Sequence, residues 1–378
     1  MKFLSRQSTS YPLQITTLWS GSVLVPIDFV GVHIHKWPAG SPMSPAPTYK
    51  FGAWRSHDYG PEPVTTGVRW ASINTSNGVY DWSGLDLAIN THYAAGRSIY
   101  YQIYQCPTWA ARVAWQSTPD AYNYNGGGSP PNSLTSLSDF VTALVTRYTP
   151  KIKFLSTWNE ASYAQDGTGF FWGSAADLAA MARAVKIAAR AVDGAIVLAS
   201  PDFTGTANVA PFLNASDGAA GFGRQHVDLI AYHPYTSYGW YDRKQSINME
   251  LAVVDTALRA QIVVGGLSAG TPVYGTEIGY ASSPSDPKLL ASTPGNLAAW
   301  IKRLALRAAA LSWKSVYFYS HDSAYSGNPS INYECSTALN FIHGLLAGRT
   351  LTLVQQQGRD LIVTTDSGRT VLPSIVTL

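Results

Sequence analysis

A rhythm constrains this chain more than any single motif: short apolar or β-branched runs recur, separated by stretches with helical spacing. The runs are FVGVHIH (29–35), GVRWASI (67–73), SIYYQIYQ (98–105), KFLSTW (153–158), AIVLAS (195–200), VDLIAYH (227–233), PVYGTE (272–277) and SVYFYSH (315–321). Several are continuous, as in strands buried on both faces of a parallel sheet. Between them, SAADLAAMARAVKIAARAV starts at Ser174 with Asp177 three residues on, a capping-box pattern. SLSDFVTALVTRY repeats the device with Ser136 and Asp139, and NLAAWIKRLALRAAALSW supplies a long helix before the last run. Strands alternating with helices in this number predict an α/β chain folded as a (β/α)8 TIM barrel. A doubly wound open sheet is the rival. However, a Pro-rich loop follows the first strand where that fold wants a Gly-rich phosphate turn.

Two regions fall outside the rhythm. Residues 1–25 read as a mixed, partly β-like extension, and residues 347–378 as a small β region after a barrel spanning 26–346. The tail RTLTLVQQQGRDLIVTTDSGRTVLPSIVTL alternates and has turn signals at Gln357-Gly358 and Ser367-Gly368. It is expected to form antiparallel strands packed on the barrel, with the N-terminal segment a possible partner.

Charged residues make up 13%, about half the usual share. The net charge of +3 is spread without a basic run, which argues against a nucleic-acid partner. A surface of Ser, Thr, Asn, Gly and Tyr suits a neutral polar ligand. Cys106 and Cys335 form no CxxC pair and no disulfide framework; separate buried thiols are favoured over a bridge. No cofactor or metal is expected. MKFLSRQSTSYPLQ opens like a signal peptide, but Arg6 and its polar neighbours leave no apolar core, so the compartment stays open. No run approaches a membrane span. The chain is expected to act as a monomer.

In a barrel, chemistry sits at the carboxyl ends of the strands. That filter selects Arg69 on the second predicted strand, Asn159 and Glu160 after the fourth, and His233 and Tyr235 after the sixth. Glu277 ends the seventh, and Tyr319, His321 and Asp322 end or follow the eighth. Only 23 Asp and Glu occur in the chain, so two glutamates at strand ends stand out. Facing carboxylates about 5 Å apart suit double displacement at a glycosidic bond. The bland alternatives are an ion pair or surface cap for Glu160 and Glu277 and a barrel salt bridge for Arg69. For His33 and His35 the alternative to a sugar contact is a core histidine.

WNE at the fourth strand, HPY at the sixth and TEIGY at the seventh resemble the clan A retaining glycoside hydrolases. The likeness is greatest to glycoside hydrolase family 39 and its bacterial exopolysaccharide-cleaving relatives. CPTWAA after the third strand and FFWGSAADLAAMARAV are similar to segments of that group. The resemblance spans roughly residues 29–345 and implies that Glu160 is the acid/base and Glu277 the nucleophile. It also implies that Asn159 bonds the sugar 2-hydroxyl, that His233 and Tyr235 lie near the nucleophile, and that Arg69 holds it ionised. An ionised Glu277 in turn favours a protonated Glu160. Ala161 stands where the family usually has proline, and its strand-eight tryptophan is not evident in YFYSHD, where Tyr319 or His321 is the substitute.

Sugar rings present apolar C–H faces, for which flat aromatic side chains make natural platforms. Trp37, Trp109, Trp115, Trp172 and Trp240 fall in or near strand-end loops, while Trp158, Trp300 and Trp313 read as core. The resulting expectation is a retaining β-glycoside hydrolase, endo-acting on an exopolysaccharide. The alternatives are an exo-acting β-xylosidase or β-glucosidase and, from another class, a carbohydrate-binding barrel without turnover.

Overall fold

The computed structural model describes residues 15–34, 47, 49–56, 67–113, 127–162, 170–235, 247–279, 294–319, 336–357 and 360–372. Strand β1 (Ile15–Leu24) comes first, followed by β2 (Val30–His33) and β3 (Ala53–Arg55). A small hairpin, β4 (Asn74–Ser76) and β5 (Val79–Tyr80), precedes β6 (Ser98–Gln102), β7 (Ile152–Ser156) and β8 (Val197–Ala199). Then come β9 (Ile230–Tyr232), β10 (Val273–Ile278) and β11 (Ser315–Phe318), and finally β12 (Thr350–Gln357), β13 (Asp360–Thr365) and β14 (Gly368–Leu372). The helices are α1 (Trp70–Ile73), α2 (Ser83–Ala94), α3 (Leu134–Tyr148), α4 (Ala175–Val192), α5 (Val209–Asn214), α6 (Ile247–Val264), α7 (Pro294–Ala310) and α8 (Ser336–Leu346).

Eight strands pair in parallel in the order β8-β7-β6-β3-β2-β11-β10-β9. The two ends of that series meet through the bridges Ala199↔Leu229 and Phe203↔Tyr232. Ser200 N–H donates to Leu229 O at 2.9 Å and His233 N–H to Phe203 O at 2.8 Å, which closes the sheet into a barrel. The barrel expected from the sequence is therefore the one observed.

Seven of the eight apolar runs overlap barrel strands; the second does not. Residues 67–73 form a loop and the short helix α1, whose Trp70 and Ile73 are buried one turn apart. The second strand is Ala53–Arg55, too short to show any periodicity. Its entry is pinned by Gly52, whose N–H donates to Val30 O at 2.8 Å. A Cβ at Gly52 would lie 2.6 Å from Asp28 Cα and from Ile27 O, so the backbones meet where only glycine fits.

The helices follow their local signals. At α4, Ser174 Oγ accepts from Asp177 N–H at 3.1 Å, and Asp177 Oδ2 accepts from Ser174 N–H at 2.8 Å, the reciprocal capping box. Helix α3 starts earlier than its Ser136 cap predicted. Ser133 caps it by accepting from Thr135 N–H at 3.2 Å, while Ser136 donates to Ser133 O. Pro294 takes the first position of α7, where its missing N–H costs nothing.

Inside the barrel, Ala53, Tyr100, Phe154, Ala199, Leu229, Ala231 and Tyr317 form their own apolar layer, apart from the larger core that includes residues of α2, α3, α4, α7 and α8. Burying a side chain such as Phe154 contributes about 1.5–3 kcal/mol. The tail forms the expected antiparallel sheet, and β1 joins it in the order β1-β12-β13-β14. The Ser367-Gly368 turn links β13 to β14, with Gly368 at φ 121°; residues 358–359 lie outside the described set. No described helix is long and apolar enough to cross a membrane.

Candidate active site

Above the apolar layer, the barrel interior turns polar. Arg55, at the end of β3, is fully buried, and its guanidinium organises four strand ends. Nη1 donates to Glu277 Oε2 at 3.0 Å; Nη2 donates to Asn159 Oδ1 and to Asp202 Oδ2, both at 2.7 Å. Burial works against this charge, but the fields of Asp202 and Glu277 outweigh it and raise the arginine's pKa. Gln102 Nε2 donates to the same two oxygens of Asn159 and Asp202, at 3.0 and 2.6 Å. Tyr100 Oη and Thr276 Oγ1 donate to Asp202 Oδ1 at 2.7 and 2.9 Å, and Ser156 Oγ to Oδ2 at 3.3 Å. Asp202 thus accepts five hydrogen bonds in a dry interior, as an ionised carboxylate can.

Two carboxylates stand over this floor. Glu277, on β10, accepts from Arg55 and, on Oε1, from the Tyr235 hydroxyl. Burial, then the charges of Glu277 and Glu160, push the Tyr235 phenol well above its usual pKa, so it stays a donor. Glu160 follows β7 at φ 47°, a left-handed conformation that non-glycine residues seldom adopt. Its side chain is 15 % exposed, and Oε1 lies 2.9 Å from His233 Nδ1. That nitrogen is also 3.8 Å from Glu277 Oε2. The ligand-type atoms of Glu160, His233 and Glu277 all fall within 4.8 Å of one another; among the described residues, this is the group able to hold a cation.

The resemblance implied Arg69 beside Glu277, and in the structure it is Arg55 that stands there. Arg69 precedes α1 and donates to Gln105 Oε1 at 3.2 Å. The exchange follows from misreading 67–73 as the second strand. Asn159 bonds Arg55, His233 meets Glu160 and Tyr235 donates to Glu277, which brings these three residues together with the two glutamates. Of the histidine pair, His33 faces the barrel interior and its Nε2 donates to Thr276 O at 2.9 Å; His35 lies outside the described residues. Tyr319, the residue after β11, is buried with its ring 5.3 Å edge-on from His33. Trp109 is half-buried, with Nε1 donating to Asn74 O at 2.8 Å. Trp172 is 6 % exposed and packs on Gly128, so little of its indole is open to a ligand. Trp37, Trp115, Trp240, His321, Asp322 and Cys335 lie outside the described residues, while Cys106 is a free buried thiol.

Sequence reasoning missed Arg55, Gln102 and Asp202. For Asp202 a signal existed: it stands directly behind the buried run AIVLAS, the criterion that selected Glu160 and Glu277. Arg55 sits in a strand too short to be recognised.

No protein-family model matches the chain, and no curated protein matches it by sequence. Solved structures do match. A monomeric β-xylosidase from Caulobacter crescentus superposes with a TM-score of 0.63 at 17% identity, covering 91% of this chain and 74% of that one. The chain shares its barrel. A glucosidase from Croceicoccus marinus gives 0.61 at 12% identity, over 94% of this chain and 78% of that one. A glycoside hydrolase family 39 enzyme from Xanthomonas axonopodis pv. citri gives 0.61 at 15%, over 95% and 76%. At these identities the likeness establishes the fold, and chemistry must be argued from the site.

Proposed function

We propose that the protein is a retaining β-glycoside hydrolase in which Glu277 is the nucleophile and Glu160 the general acid/base. One observation carries the reading: oxygens of these two carboxylates lie within 4.8 Å of each other at the ends of the fourth and seventh barrel strands. Retaining enzymes hold their carboxyl groups about 5–5.5 Å apart, whereas inverting enzymes leave about 6.5–9.5 Å for a water.

The surroundings divide the labour. Glu277 is held by a guanidinium and a phenol, two donors that fix its direction. Glu160 is more open and meets an imidazole nitrogen, a group able to exchange a proton with it. In the first step Glu277 bonds to the anomeric carbon while Glu160 gives its proton to the departing glycosidic oxygen. In the second, Glu160 takes a proton from water, whose oxygen replaces Glu277 at that carbon. Asn159 Oδ1 is saturated by Arg55 and Gln102, which leaves Nδ2 to donate to the sugar.

For substrate, an exopolysaccharide cleaved internally is the reading the sequence resemblance favours. The second reading, exo-action on a β-xyloside or β-glucoside, draws on the xylosidase and glucosidase among the similar structures. Product lengths from a reduced polymer separate the two: oligomers mean endo-action, monosaccharide alone means exo. The mechanism is tested by Glu160→Gln, which should lose hydrolysis of poor leaving groups and regain turnover of an activated aryl glycoside with azide. An unchanged rate would refute the assignment of Glu160.

A further inference from the structure

We propose that the face of the barrel opposite the carboxylate pair carries a binding site for a small oxyanion, a carboxylate or phosphate group, centred on Arg97. The site is independent of the glycosidase reading.

The entrances to β2, β3 and β6 and the last turn of α8 enclose a cavity of about 350 Å³, lined by Arg97, Lys50, His343 and Asp28 among others. That size falls within the range of small-ligand pockets. Local chemistry fixes Arg97. Helix α2 ends in a Schellman turn: Gly96, at φ 71°, donates its N–H to Tyr93 O at 2.9 Å, and the Arg97 N–H donates to His92 O at 3.1 Å. The guanidinium then lies over the Phe51 ring, 3.8 Å from its centroid, and Nη1 donates to His92 Nδ1 at 3.1 Å. Neither partner carries a charge, because burial and then the field of Arg97 push the His92 pKa well below its usual value.

What Arg97 lacks is an anion. Among the described residues it has no carboxylate partner. Burial lowers its pKa to about 10, and only the Tyr49 phenol works the other way. Desolvated charges are normally paired, so a half-buried guanidinium held by a ring and an imidazole is one counter-ion short. The other lining charges do not supply it. Asp28 Oδ2 already accepts from Lys153 Nζ at 2.7 Å and from Ser98 Oγ at 2.6 Å. Lys50 adds a second cation, whose field joins burial in lowering the pKa of His343. The cavity therefore concentrates positive charge that an oxyanion would offset. One N–H of Arg97 is spent on His92, and the rest of the planar fork remains to take two oxygens of one carboxylate or phosphate. Lys50, exposed on a flexible stem, can close on the same ion.

The test follows the melting midpoint of the full chain against sodium phosphate and, separately, sodium glucuronate. Sodium chloride at matched ionic strength and glucose are the controls. A ligand of the native state raises the midpoint with its concentration. A saturable rise is expected with at least one of the two oxyanions and with neither control; phosphate alone marks a phosphate site, glucuronate alone a site for the carboxylate of an acidic sugar. Arg97→Met keeps an apolar cover over Phe51 and should weaken the apparent affinity at least about tenfold, the worth of a charged hydrogen bond. Lys50→Gln, on the exposed rim, should weaken it about two- to fivefold. A crystal soaked in the oxyanion that raises the midpoint should show its oxygens about 2.7–2.9 Å from the Arg97 guanidinium. No rise with either oxyanion, an ion bound only elsewhere, or unchanged affinity in a folded Arg97→Met protein would overturn the proposal. Should that variant not fold, the position of the ion in the wild-type crystal decides.

Discussion

Replacing Asp202 separates its charge from its shape. Its Oδ2 faces Arg55 Nη2, Gln102 Nε2 and Ser156 Oγ, and its Oδ1 faces the hydroxyls of Tyr100 and Thr276. In Asp202→Asn, the amide oxygen can keep the first three donors while the NH2 meets two hydroxyls able to rotate and accept. The shape survives and the charge does not. A charge-assisted hydrogen bond lost in this way costs about 1.5–3 kcal/mol. Asp202→Ala also strands the buried donors, and its cost rises to the roughly 3–5 kcal/mol of a broken buried pair. Urea unfolding followed by tryptophan fluorescence reads both as shifts in midpoint at constant slope.

The decisive version is a double-mutant cycle with Arg55→Met. Losing both charges leaves fewer stranded groups than the two single losses together, so a coupling of about 2 kcal/mol is expected. Additivity within about 0.5 kcal/mol would refute the view that Asp202 and Arg55 act as one unit. Because Arg55 also holds Glu277 and Asn159, the Asp202→Asn protein should lose roughly 10–100-fold in turnover if the functional reading holds, since a misplacement near 1 Å can cost about 100-fold.

Other expectations follow from single contacts. Gly52→Ala forces a Cβ against backbone and should cost about 1–3 kcal/mol; an unchanged unfolding midpoint would show that the two strands approach less closely. Glu160→Gly should be more stable than Glu160→Ala by roughly 1 kcal/mol, because only glycine relaxes at φ 47°; equal stabilities would mean the strain is not there. Burial opposes the charge of Asp177, but hydrogen bonds from Arg112 and Ser174 overcome it and lower its pKa to about 2. A depressed carboxyl stabilises the fold above its unfolded value, near 3.9, and loses that contribution as pH falls towards 2. Arg112→Gln should thus cost under about 1 kcal/mol at pH 7, given the pair's exposure, with the gap from wild type closing below about pH 4. A gap that widens on acidification would reverse the sign argued here.

The barrel was legible because buried parallel strands write themselves as apolar runs, and Ser174 with Asp177 marked a helix start in plain local chemistry. The carboxylate pair was legible for a related reason: Glu160 and Glu277 are rare charges placed directly behind such runs. What failed was whatever depends on long-range pairing. Ala53–Arg55 is a strand only because β2 and β6 flank it, so nothing local distinguishes it from loop, and Arg69 took the place of Arg55. The five hydrogen bonds of Asp202 come from partners 46 to 147 residues away, beyond any window of sequence.

The central claim is that one carboxylate of the pair becomes covalently bound to sugar. Incubation with a panel of activated 2-deoxy-2-fluoro glycosides, read by intact mass and then by peptide mapping, tests it directly. A single adduct on Glu277, with a mass that names the sugar, is the expected result. An adduct on any other residue, or none with a sugar whose ordinary glycoside the protein cleaves, would contradict it.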